Sequence, residues 1–147
     1  MKPNQQFINM ITKLFQQRKT TLTREDFTMH NSRAVTFYSI SQGKFVNNQL
    51  FNKTNAFSEQ VMIEIERGFS QVIIGTDTSQ TVYRRLSSAE FDTYAGRGYI
   101  HWQATDSRGT TYLMARIMAD DATPQLKIVN TSDGATVVHN ICQLPNL

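Results

Sequence analysis

The chain has 147 residues, 39% of them hydrophobic, 18% charged and 10% aromatic, with a formal net charge of +3. That length suits one domain around one core. No run of about 18 apolar residues is present, which argues against a spanning helix. The single cysteine, Cys142, cannot form an internal disulfide, and the apolar content is too high for a disordered chain.

Fifteen basic residues stand against twelve acidic ones, but they are dispersed. Only Arg18-Lys19 and Arg84-Arg85 are adjacent, so the basic stripe of a nucleic-acid binder is missing and nucleic acid is not an expected partner. Uncharged polar residues dominate: Thr, Gln, Asn and Ser make up 49 of the 147 positions. Such a surface hydrogen-bonds without strong electrostatic steering. The opening Met1-Lys2-Pro3-Asn4 leads into an amphipathic segment without the apolar stretch of a signal peptide. The expected compartment is the cytoplasm.

Residues 4–17 carry Phe7, Met10, Ile11, Leu14 and Phe15 on one helical face. Thr23, followed by Arg24-Glu25-Asp26, is an N-cap with acids in the first turn and predicts a short helix at 24–31. Residues 34–50 read as a hairpin turning at Ser41-Gln42-Gly43. Phe57, Val61 and Ile65, spaced by four, predict a long helix over 55–67 that Gly68 ends. Strands are expected at 69–74 and 81–86. Ser87-Ser88-Ala89-Glu90 has capping-box spacing and predicts one or two helical turns. A meander then follows, with strands at 99–105, 110–118, 125–130 and 135–141 separated by tight turns. Helices first and a meander last give a single α+β domain over residues 1–147, its N-terminal helices packed on a largely antiparallel sheet. Free sheet edges are expected within 34–50 or 125–141.

Few patterns carry chemistry. His30, His101 and His139 are far apart in sequence, and neither they nor Cys142 show metal-ligand spacing; no metal and no cofactor are expected. Cys142 and His139 lie three apart at a strand end, where their side chains diverge, so Cys142 reads as inert. Nucleophile elbows, phosphate-binding Gly-rich loops and His-Glu-x-x-His are absent. In the meander Ile100 and Trp102 share the buried parity, which leaves Tyr99 and His101 more exposed.

The stretch Val82-Tyr83-Arg84-Arg85-Leu86-Ser87-Ser88-Ala89-Glu90-Phe91, with Gly96-Arg97-Gly98-Tyr99-Ile100-His101 after it, resembles the opening of ADP-ribosyltransferase-like domains. That resemblance implies a strand, a short helix and a second strand. It further implies that Arg84 or Arg85 contacts the phosphates or ribose of a nicotinamide dinucleotide, with His101 near the pocket. It covers about twenty residues, and no glutamate follows Glu90 to supply that family's catalytic acid.

The residues therefore favour a small protein-binding or assembly module over an enzyme. Such a module would be an inhibitor, adaptor or oligomeric component, of a virus, mobile element or pathogen effector set. Its partner would be another protein or its own copies, and Tyr99 and Arg108 are the candidate contact residues. The enzyme alternative would use Arg84 and His101; a weak nucleic-acid-binding protein is a third reading.

Overall fold

The computed structural model describes residues 20–47, 49–54 and 60–143. The amphipathic segment 4–17 lies outside them. Helix α1 (Arg24–Ser32) starts as the sequence predicts. The Thr23 hydroxyl accepts from the Asp26 N–H at 3.3 Å, and Asp26 Oδ2 accepts from the Thr23 N–H at 2.8 Å. This reciprocal box satisfies two otherwise orphaned donors.

The rest of the described chain is mostly strand. It comprises β1 (Val35–Val46), β2 (Gln49–Thr54), β3 (Met62–Ile65), β4 (Gln71–Gly75), β5 (Gln80–Arg85), β6 (Glu90–Tyr94), β7 (Arg97–Thr105), β8 (Thr111–Met118), β9 (Pro124–Asn130) and β10 (Thr136–Gln143). Every pairing is antiparallel. The order β1-β3-β4-β5-β7-β8-β9-β10 returns to β1 and closes an eight-stranded barrel. The expected α+β sheet with packed helices is thus corrected to a β-barrel with, among the described residues, one short α-helix. Val61-Met62-Ile63-Glu64-Ile65-Glu66 alternates with period two, and β-branched residues point inward from β3; this pattern prevails over the spacing of four that suggested a helix. Residues 55–59 of that expected helix lie outside the described residues. Ser87-Ser88-Ala89-Glu90 leads into β6 rather than into helical turns.

Two strands serve double duty. Along one edge of β1, β3 pairs with residues 35–38 and β2 with residues 42–46. On the edge of β7 that faces away from β8, β5 pairs at 104–105 and β6 at 97–101. The strands expected to offer free edges are therefore enclosed: β1, β9 and β10 are bonded on both sides. Among the described residues, the edges left unpaired belong to β2, to β6 and to residues 80–83 of β5, which meets β7 only at Arg84 and Arg85.

Inward residues fill the barrel: Phe37, Ile63, Ile65, Val72, Ile100, Trp102, Ala104, Met114, Leu126, Ile128 and Ile141 are all buried. An eight-stranded barrel is about wide enough for its side chains to fill. Helix α1 lies against one end of it, over the 3-10 turn Arg67–Phe69 that links β3 to β4. Gly68 and Phe69 both adopt positive φ there, 69° and 60°. Such a conformation costs about 1–3 kcal/mol at a bulky residue. It drives the Phe69 ring between His30 and Trp102, 4.8 Å and 4.5 Å away, and full burial of that ring offsets the strain.

The interior is also polar in places. Arg116 is buried, its guanidinium 5.1 Å over the Phe37 ring, and donates to the Gln125 carbonyl at 2.9 Å. His139 Nδ1 and the Ser39 hydroxyl share a hydrogen bond of 2.9 Å. Among the described residues, both ring nitrogens of His30, Trp102 Nε1 and Arg116 Nε are buried without a hydrogen-bond partner.

Candidate functional site

The site grows out of the hairpin β6–β7. Ala95 and Gly96 adopt positive φ (51° and 78°), as a two-residue type I′ turn requires. That turn sets the register Glu90↔His101 and Asp92↔Tyr99. Because strand side chains alternate, Ile100 and Trp102 enter the core while Tyr99 and His101 project outward, half-buried, as the parity predicts. Glu90 and Asp92 project beside them. His101 Nε2 lies 2.5 Å from Asp92 Oδ2 and 3.8 Å from Glu90 Oε2. The Tyr99 ring packs 5.3 Å from the imidazole and orients it.

Next to this triad the partner strand of β7 breaks at residues 87–89. The Ser87 hydroxyl takes over the missing backbone contact and accepts from the Gln103 N–H at 2.9 Å. The Leu86 N–H donates to the Gln103 carbonyl at 2.7 Å. The break leaves a concavity of about 430 Å³ lined by Ser87, Ser88, Glu90, His101, Gln103 and Leu113. Its surroundings are apolar for an outer wall: Leu86 is 57% exposed and Leu113 42%, while Tyr94, 81% exposed, stands apart at the hairpin tip. A second concavity, about 360 Å³, lies farther round the barrel between Phe45, Ile117, Lys127 and Val138. Nearby, Gln125, Asn140 and Ser41 hydrogen-bond across three strands and so satisfy one another.

The other sequence-predicted residues lie apart. Arg108 sits in the turn that follows β7, at the opposite end of the strand from Tyr99, and its N–H donates to Asp106 Oδ1. Arg84 is opposite Thr105, four residues from His101 along β7, which is about 13 Å at the usual strand rise. Arg85 donates to the Gly68 carbonyl at 2.6 Å. The strand–helix–strand order implied by the ADP-ribosyltransferase resemblance is replaced by strand–loop–strand. His139 points into the barrel, Cys142 is exposed and His101 is on the outer wall of a different strand, so the three do not meet. Glu90 and Asp92 do not stand out in the sequence because Ser87-Ser88-Ala89-Glu90 has capping-box spacing; the alternation Glu-Phe-Asp-Thr-Tyr is the signal that identifies a strand there.

No protein family, curated protein or solved structure matches the chain. Among the described residues, no helix is long and apolar enough to cross a membrane.

Proposed function

We propose that the protein is a small binding or assembly module that engages another protein, or further copies of itself, through the outer face of β6, β7 and β8. The observation that carries this reading is the exposed pair Leu86 and Leu113, which flank Gln103 on the outer wall, together with the exposed Tyr94 at the far end of the hairpin and the unpaired edge of β6. The barrel's own core already has its apolar filling, and these side chains stay exposed among the described residues. Exposed apolar groups rimmed by polar ones mark interaction surfaces, tyrosine is enriched at their centres, and an open edge accepts an added strand. The carboxylates of Glu90 and Asp92 disfavour a phosphate backbone here, which argues for protein over nucleic acid. A reducing compartment such as the cytoplasm suits the free, exposed thiol of Cys142.

Native mass spectrometry of the protein isolated from its own cells tests this. A stoichiometric partner or self-assembled mass is expected for the wild type. The double variant Leu86→Asp/Leu113→Asp should lose it, with a weakening of at least about a hundredfold, since burying charge in an interface core costs several kcal/mol. Both positions are exposed, so its melting temperature should stay near that of the wild type. A bare wild-type monomer, or a complex indifferent to both changes, would refute the reading.

A further inference from the structure

We propose that Glu90, Asp92 and His101 form a mononuclear site for a divalent transition-metal ion of the zinc class. The donors come from two paired strands of the barrel wall, where backbone pairing holds their Cβ atoms in place. Glu90 faces His101 directly across the hairpin and Asp92 sits diagonally, distances at which cross-strand side chains interact. One donor atom from each residue lies within 4.8 Å of the other two. Zinc binds imidazole nitrogen and carboxylate oxygen at about 2.0–2.2 Å, so tetrahedral donors stand about 3.3 Å apart. The observed separations from His101 Nε2, 2.5 Å to Asp92 and 3.8 Å to Glu90, straddle that value. Small rotations of two exposed carboxylates close the site.

The chemistry of the donor set narrows the ion. Calcium takes six to eight oxygen ligands, and magnesium keeps most of its waters. One imidazole nitrogen with two carboxylates suits zinc, manganese or iron instead. The orienting contact of Tyr99 on the imidazole fixes the ring while leaving Nε2 turned to the carboxylates. The nearest basic side chain on β7, Arg97, is engaged by Asp120, and no ion pair between Glu90 or Asp92 and Lys or Arg occurs among the described residues. Three protein donors leave a fourth position, and the concavity at Ser87, Ser88 and Gln103 adjoins it with room for water or for a ligand atom of a bound molecule. This site stands whether or not the outer face docks a protein.

Calorimetric titration of the tag-free protein with zinc chloride at neutral pH tests the site. One ion per chain is expected, with His101→Ala and the isosteric Asp92→Asn and Glu90→Gln each weakening binding by about tenfold or more. Magnesium should not compete. His30 and His139 are buried and supply no alternative surface imidazole. Unchanged melting of the metal-free variants separates loss of the site from loss of the fold, and Glu90→Gln, the most exposed of the three changes, keeps the test usable if another variant fails to fold. Absence of zinc binding in the wild type would overturn the proposal. So would binding that survives His101→Ala, or that survives both carboxylate changes.

Discussion

Acidification from pH 7 to pH 4 is expected to remove roughly 6 kcal/mol of folding stability through two buried histidines. Burial lowers His30 from 6.5 to about 4, helped by the Arg116 and Arg33 charges and opposed by that of Asp26; burial alone lowers His139 to about 4. Both are neutral in the folded protein over this range, while the unfolded chain takes up protons below about 6.5. The unfolded state therefore binds more protons, and stability falls as pH drops, by roughly 3 kcal/mol per histidine. Above pH 6.5 both states are neutral and the contribution is flat. Below the folded value of about 4 the folded state also protonates and the loss levels off.

Urea unfolding at a series of pH values measures this slope. His30→Leu should halve it and should cost little at pH 7, because among the described residues both ring nitrogens of His30 lack partners and removing an unpartnered buried polar group is close to neutral or stabilising. A pH-independent wild type, or a slope unchanged in His30→Leu, would contradict the assignment.

Gly98→Ala should be a strongly destabilising single-methyl change in the barrel wall. Leu22 bridges to Gly98 ahead of helix α1, and the Gly98 N–H donates to the Thr21 hydroxyl at 2.5 Å. A Cβ at Gly98 would collide with the Leu22 carbonyl oxygen and stand 2.7 Å from the Phe91 ring. Neither can retreat easily: the first is backbone, and the second lies under the Arg24 guanidinium and beside Phe27. The methyl must part the segment that leads into α1 from β7, at a cost of about 3 kcal/mol or more. By contrast, an alanine at Gly109 meets nothing within 4 Å and carries only the positive-φ penalty, about 1 kcal/mol. Chemical denaturation of the two variants side by side measures the difference. Equal, small losses would show that the Leu22 bridge does not hold α1 to the barrel.

Much of the strand content was legible. The turns at 106–109 and 131–134 and the β-branched runs around them place β7 to β10 within two residues of the expected bounds. Thr23 and its acids placed α1. Closure was not legible, because it rests on Phe37 pairing with Gln143 and Phe45 with Thr136, contacts between distant parts of the chain that no local pattern encodes. The bulge of β1 between Ser39 and Ser41, which accompanies the change of neighbour from β3 to β2, is equally silent in the sequence. At β3 and β6 two periodicities competed, and pairing in the closed sheet decided for strand over isolated helical turns. The site followed the same division. Alternation placed Tyr99 and His101 outside, but Glu90 and Asp92 joined them only once residues 90–94 were a strand.

Hydrogen–deuterium exchange on the isolated complex, compared with the free protein, tests most directly whether the outer face of β6–β8 is the docking surface. Slowed exchange is expected at residues 86–94, where the backbone of β6 has an unpaired edge, and at 99–103 and 111–115, with the turn at 131–134 unchanged. Protection confined to that turn or to the segment around Arg108, with residues 86–94 exchanging as in the free protein, would contradict the account.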